Sequence, residues 1–151
     1  MAPRAAARLE LLGFSDVMHY PGGKLDWIAA GLPSEGDNAA HPRAGTVALT
    51  DVPVCAIDDR VGDVSKRLGV AVVVDRDGVV VGLLREKELA GDPAARVEDV
   101  MLLGPSTFRP YVPIKEIAQY MTEHELDSSP ITTSDGKLVG VLFRADAMRA
   151  E

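Results

Sequence analysis

A duplicated segment constrains this chain more than any other feature. Asp77-Gly78-Val79-Val80-Val81-Gly82-Leu83-Leu84 recurs 58 residues later as Asp135-Gly136-Lys137-Leu138-Val139-Gly140-Val141-Leu142. Upstream, Val61, Val64 and Leu68 align with Ile114, Ile117 and Met121 at an offset of 53, each trio at helical spacing. The first copy therefore lacks five residues, which the alignment places between Leu68 and Val72. Two diverged copies of one unit, residues 46–100 and 101–151, follow from this, and units repeated in this way bury their apolar faces against each other.

The changes of period along each copy give its layout. In copy two, an extended stretch around Ser106 to Arg109 precedes Pro113, which stands at a helix start. Ile114, Ile117, Ala118 and Met121 form an i, i+3, i+4, i+7 apolar stripe, the mark of an amphipathic helix. Pro130-Ile131-Thr132 reads as a strand and Ser134-Asp135-Gly136 as a tight turn, because Asp-Gly accommodates positive φ. Lys137 to Phe143, rich in Val and Leu, reads as a buried strand, and a last helix begins near Arg144. Copy one repeats the order, with Val70 to Asp75 and Val79 to Leu84 as its hairpin. The fold class is α+β, with the order β-α-β-β-α in each copy.

That order, with three signatures, resembles the cystathionine-β-synthase (CBS) domain, which occurs as a tandem pair. The signatures are Val97-Glu98-Asp99-Val100-Met101 leading into copy two, the Asp-Gly hairpin of each copy, and a glycine six residues before an acid, Gly82 to Glu88 and Gly140 to Asp146. The resemblance implies an adenosine-containing regulatory ligand, AMP, ATP or S-adenosylmethionine. The family ends its last strand in Gly-x-x-(Thr or Ser)-x-x-Asp, whose hydroxyl meets phosphate and whose Asp holds the ribose. Copy two keeps the acid as Asp146 but has Phe143 at the hydroxyl position, followed by Arg144; copy one has Arg85 and Glu88. Ser128-Ser129-Pro130 leads into the copy-two strand where the family faces the base. One site is expected, built mainly from copy two: Ser129, Pro130, Phe143, Arg144 and Asp146, with Arg85 and Glu88 as the copy-one candidates.

Each of these residues also has a plainer reading. Asp146 and Glu88 fall in the first turn of a helix, where a carboxylate contributes about 0.3–1 kcal/mol against the macrodipole. Arg85 is either a charged fork for phosphate or an exposed arginine at a helix start. Phe143 is either a stacking platform or core.

Residues 1–36 stand outside the repeat. Ala5 to Leu12 reads as a helix ended by Gly13, Phe14 to Tyr20 as a short strand, and the segment around Trp27 as a second helix stopped by Gly31 and Pro33. The string Tyr20-Pro21-Gly22-Gly23-Lys24-Leu25-Asp26-Trp27-Ile28-Ala29-Ala30-Gly31-Leu32-Pro33 resembles the C-terminal end of a rhodanese domain. A rhodanese carries its persulfide cysteine upstream of the helix that starts here near Ala5. The single cysteine, Cys55, lies downstream, inside copy one, so sulfur transfer is not expected. A 36-residue piece buries little core alone. Leu9, Leu12, Val17, Trp27, Ile28 and Leu32 are therefore expected to pack on the repeats or on a second subunit. Residues 37–45 read as a linker.

Charge narrows the partners. Sixteen basic against 23 acidic residues give a net charge of −7, which disfavours a nucleic-acid chain but leaves room for a small phosphorylated ligand. The longest apolar run, Gly78 to Leu84, is far below the roughly 20 residues of a membrane span. No apolar leader follows a basic start, and one cysteine excludes an internal disulfide; a cytoplasmic location is expected. His19, His41 and His124 are far apart, Glu123-His124-Glu125 is a solvated helix-end run, and neither a phosphate-cradling glycine loop nor a Gly-x-Ser-x-Gly elbow occurs. The expectation is a non-enzymatic regulatory module without a resident cofactor, dimerising with itself and signalling to a separate effector protein. The alternative is a dimerisation scaffold that binds no ligand.

Overall fold

The computed structural model describes residues 2–18, 20, 23–24, 27, 32–33, 35–36 and 41–150. The chain divides into two compact units, Met1–Ser34 and Glu35–Glu151. In the first, α1 (Ala2–Leu11) ends before Gly13, as its sequence predicts. The strand expected over 14–20 is absent among the described residues of that stretch, which are irregular or bent. Gly23, Lys24 and Trp27 are helical; Trp27 Nε1 donates to the Pro33 carbonyl at 2.7 Å, and its ring meets Tyr20 edge-on at 5.4 Å. Within the single chain Leu9, Leu12, Trp27 and Leu32 are exposed and Val17 is half-buried. Ile28 lies outside the described residues.

The second unit runs α2 (Ala44–Val47), β1 (Val54–Ala56), a 3-10 turn (Val61–Asp63), β2 (Val70–Val74), β3 (Val80–Arg85), α3 (Glu86–Leu89), α4 (Val97–Val100), β4 (Leu102–Leu103), α5 (Ile114–Glu123), β5 (Ser128–Thr132), β6 (Leu138–Phe143) and α6 (Arg144–Arg149). One sheet has the order β1-β2-β3-β4, with β1 parallel to β2 and the other neighbours antiparallel. The other is the β5-β6 hairpin, to which Phe108 adds a parallel bridge at Ile131 and Leu49 an antiparallel bridge at Val141. The two sheets are equivalent under the sequence offsets: Phe108 stands where Cys55 stands, and Leu49 where Leu102 stands.

That equivalence exposes an exchange. Leu49, near the start of copy one, closes the sheet of copy two, while Leu102 and Leu103, at the start of copy two, close the sheet of copy one. Their helices follow them: Ala44 of α2 is buried in the α5/α6 core, and Val97 of α4 in the copy-one core. The motif Val97 to Met101 is thus a structural clasp, and Ala44 to Ala48 is its counterpart. Gly82 and Gly140 are the residues that permit it. A Cβ on Gly140 would lie 2.6 Å from the Leu49 carbonyl oxygen, and one on Gly82 would lie 2.8 Å from Met101 Sδ and 3.2 Å from the Leu102 carbonyl oxygen.

The hairpin turns meet on the pseudo-twofold axis. Val79 pairs with Lys137, and the Val80 and Leu138 N–H groups donate to the carbonyls of Gly136 and Gly78. In each turn the glycine alone takes positive φ (81° and 84°), and further up the ladder the register shifts, between Val73 and Val74 and between Ile131 and Thr132. The tight turn is therefore a bulged one, with the preceding aspartate on the ordinary side of φ. Between the copies, Val52, Val70, Val72, Leu83 and Val141 form a shared cluster.

Copy one departs from its expected helix. Val61, Val64 and Leu68 lie on a single 3-10 turn and the irregular chain after it, where copy two has the ten-residue α5. The cause is chain length: β2 starts at Val70, matching Ser128, so the five missing residues fall upstream of the strand and leave no room for a helix and its return. The entry to the copy-one strand is intact, contrary to the expected loss there. In α5 the predicted stripe is buried, Ile114, Ile117, Ala118 and Met121 each at 2% exposure or less.

Replacing Gly140 by Ala forces backbone against backbone, so we expect a loss of about 2 kcal/mol in urea unfolding. Gly82→Ala meets mainly a flexible methionine side chain and is expected to lose about half as much.

Candidate functional site

The residues singled out from sequence occupy two pseudo-equivalent positions, at the ends of β3 and β6, rather than one. Cross-strand pairing decides which side chains share a face. In copy two, Ser128 pairs with Phe143, Ser129 with Leu142, and Pro130 with Val141. Val141 and Phe143 pack on the cluster between the copies, whereas Leu142 packs on the α5 side. Pro130 and Phe143 therefore share the inter-copy face, and Ser129 points to the other one. This separates Ser129 from the set to which the sequence assigned it: a strand's alternation fixes that two neighbours differ in face, but not which face meets the ligand.

Ser129 is fully buried, and its hydroxyl donates to the Ser106 carbonyl at 2.5 Å. Pro130 is buried, its carbonyl accepting the Phe108 N–H at 3.1 Å. Phe143 is half-buried and packs against the cluster between the copies. Arg144 donates to Asp127 Oδ1 at 2.6 Å, and its N–H to the Asp127 carbonyl at 2.9 Å. Asp146, in the first turn of α6, keeps 43% of its side chain exposed and pairs with Arg149 at 3.2 Å.

Copy one carries a different chemistry at the matching place. Arg85 pairs with Val70 at the end of β3, two residues after Leu83, so its side chain leaves the strand on the inter-copy face. It is half-buried, not exposed as the plain reading has it. Its Nε is buried without a hydrogen-bond partner. Glu88 does not turn to that guanidinium; its Oε2 accepts the Arg85 backbone N–H at 3.0 Å, closing the first turn of α3. Such a bond stabilises a helix start by about 1 kcal/mol. Glu88 also lines an open groove of about 320 Å3 with Val61, Lys87, Gly91, Asp92 and Val100.

Sequence reasoning missed Asp127, the partner of Arg144, and the Arg67–Asp51 pair ahead of β1 (2.5 Å). That guanidinium holds the exposed Asp51 carboxyl below its usual range. Neither pairing has a sequence signal, since the partners are 17 and 16 residues apart and meet only in the tertiary structure. Cys55 is buried in the copy-one core, and burial, with Asp59 second, pushes its thiol up to about 11. A neutral, enclosed thiol is a poor nucleophile. Among the described residues no group of three His, Cys, Asp or Glu side chains could hold a metal ion, and no helix is long and apolar enough to cross a membrane.

With this geometry in hand, comparison with known proteins is informative. Residues 97–151 match the sequence model of the CBS domain. The chain is 31% identical over 125 residues to GMP reductase of Mycobacterium tuberculosis, covering 79% of this chain and 26% of that protein. It is 24% identical over 118 residues to inosine-5'-monophosphate dehydrogenase of Korarchaeum cryptofilum, covering 74% and 25%. The chain thus spans about a quarter of the length of these curated relatives. Among solved structures, the cytosolic domain of the Mg2+ channel MgtE in complex with ATP superimposes with a TM-score of 0.66 at 21% identity, covering 75% of this chain and 51% of that one. CBSX2, a CBS-pair protein from Arabidopsis thaliana, in complex with AMP gives 0.62 at 22%, covering 72% and 95%. The CBS domain pair of protein MJ0100 with 5'-methylthioadenosine and S-adenosyl-L-methionine gives 0.63 at 17%, covering 72% and 94%. The fold is that of a CBS pair.

The state of Cys55 is directly checkable. At pH 8 a thiol reagent is expected to label it only after urea unfolding. Because the folded thiol titrates above the unfolded one, its contribution to stability is present below about pH 9 and lost as the pH rises toward 11. Cys55→Ala is expected to flatten that alkaline slope relative to the parent chain.

Proposed function

We propose that this chain is a regulatory module that binds an adenosine-containing ligand and passes the event to a partner, not an enzyme. The observation that carries the reading is the repeated strand end followed by a first-turn acid, on a CBS-pair fold whose solved relatives hold AMP, ATP and S-adenosylmethionine. In copy two, Asp146 is the ribose ligand: its carboxylate lies one turn past β6 and is open enough to accept two hydroxyl donors. Phe143 offers a face to the base, Pro130 lines the same face, and Arg144, shared with Asp127, supplies positive charge. The ligand is regulatory and reversible, so no resident cofactor is assigned. The assembly is a homodimer, in the cytoplasm, signalling to a separate effector. The segment at 20–33 descends from a rhodanese-like end without that family's chemistry. The domain limits are 1–36, a 37–45 linker, 46–100 and 101–151.

A second reading has its own support. Ser129 spends its hydroxyl on Ser106, Arg144 is paired and Phe143 is packed. A dimerisation scaffold that binds nothing would look the same at copy two.

Thermal unfolding against AMP, ATP and S-adenosylmethionine separates the two. At 100 times its dissociation constant, a ligand that binds only the folded state stabilises it by about 2.7 kcal/mol. We expect such a shift with at least one of the three, strongly reduced in Asp146→Ala while the unliganded melting temperature stays within a few degrees. No shift with any of them establishes the scaffold.

A further inference from the structure

The two copies differ in charge where the first strand of each hairpin ends. In copy two the guanidinium of Arg109 lies across the end of β5: Nη1 donates to the Thr132 carbonyl at 3.2 Å, to Thr132 Oγ1 at 2.7 Å and to the Thr133 carbonyl. The offset that aligns Cys55 with Phe108 aligns Ala56 with Arg109, and the offset of the hairpins aligns Val74 and Asp75 with Thr132 and Thr133. The strand register agrees, since Cys55 lies beside Val73 and Phe108 beside Ile131. Copy one therefore keeps the two backbone carbonyls of this seat but has a methyl group in place of the guanidinium. What stands there is a cavity of about 470 Å3, lined by Ala56 and Val74 and by the charged residues Asp58, Asp75, Arg76 and Asp77.

The acids follow the same exchange. Asp58 aligns with Tyr111 and Asp75 with Thr133, so copy two, which carries its own cation, lacks both; Asp77 alone has an acidic counterpart, Asp135. At the copy-one cavity three carboxylates against the one guanidinium of Arg76 leave two negative charges in excess. Asp75 is held in place, its Oδ1 accepting the N–H groups of Asp77 and Val79 at 2.9 Å. Asp58 is exposed, and its carboxylate has no partner among the described residues.

We infer that this cavity is a seat for a guanidinium from outside the fold: copy one takes the arginine side chain of a partner protein where copy two holds its own Arg109. A planar guanidinium presents parallel N–H donors to the two carbonyls and further donors to a carboxylate, a match that an ammonium ion lacks. The seat is at the Val74 end of β2, whereas Val70, at the other end, pairs with Arg85. It is thus separate from the strand-end positions, and the inference does not depend on the nucleotide reading.

A nuclear magnetic resonance titration of the isotope-labelled chain tests this, using N-acetyl-arginine methylamide, its lysine and citrulline counterparts, and free arginine. We expect the capped arginine to shift the amides of Ala56, Ile57 and Val74 to Val79, and to leave those of Thr132 and Thr133 unmoved because Arg109 fills their seat. The neutral citrulline compound is expected to move none of them, and the lysine compound to bind about fivefold more weakly. Asp58→Asn is expected to weaken binding about two- to fivefold. Ala56→Arg supplies the group from within, as copy two does, and is expected to abolish binding while melting no lower than the parent. Should that variant fail to fold, Val74→Thr, which adds the hydroxyl acceptor of Thr132, is expected to tighten binding about threefold. No shift at these amides, an equal response to citrulline, or undiminished binding by folded Ala56→Arg overturns the seat. Tighter binding of free arginine than of the capped compound overturns the protein partner and assigns the seat to a small guanidino compound.

Discussion

The fold depends on a backbone contact made twice: an edge segment from one copy laid against a glycine in the last strand of the other. Leu49 on Val141 and Leu102 on Leu83 are antiparallel pairings that crowd the neighbouring glycine, Gly140 against the Leu49 backbone and Gly82 mainly against the Met101 side chain. Each copy thus lacks one edge of its own sheet and receives it from the other. Neither half has a closed sheet by itself, and Ala44, from ahead of copy one, completes the core of copy two. An unpaired edge exposes backbone donors and acceptors and invites pairing with other chains. Exchange removes that exposure within one chain, and it makes folding of the two copies interdependent.

Much of this was legible in the sequence, and the parts that were not share one physical reason. Repetition of Gly82 and Gly140 ahead of an acid marked the strand ends and the first helical turns, because glycine there answers a steric demand that both copies share. The stripe of α5 was legible because four buried positions fall on one helical face. The same spacing in copy one misled, since Val61, Val64 and Leu68 fit a helix that nine residues to the strand cannot form and return from. Periodicity reports which side chains are apolar; available chain length decides whether a helix is built. The exchange itself was invisible, because a strand's sequence does not say which partner it pairs with.

At the candidate positions, identity was legible and environment was not. Sequence could name Arg85 and Phe143 as occupants of the hydroxyl position, but their burial follows from register against Val70 and Ser128. Asp127 and Asp51 escaped notice because their arginine partners arrive through tertiary pairing. The face that Ser129 takes, opposite to that of Pro130, likewise follows from its register against Leu142.

The two positions no longer carry the same chemistry, and the exchange gives that asymmetry a consequence. Arg85 ends the strand whose middle, Leu83 and Gly82, is clasped by Leu102 and Leu103. Those residues open the passage into copy two, directly after α4, which is seated in the copy-one core. The end of β3 is therefore bonded to the connection between the copies. Phe143 ends the matching strand, held by Leu49 from the start of the unit, but a packed ring has no charge to satisfy. Any shift a ligand produces is limited by its differential affinity for two arrangements. A change at the end of β3 therefore meets the connection between the copies, whereas one at the end of β6 meets the segment that opens the unit.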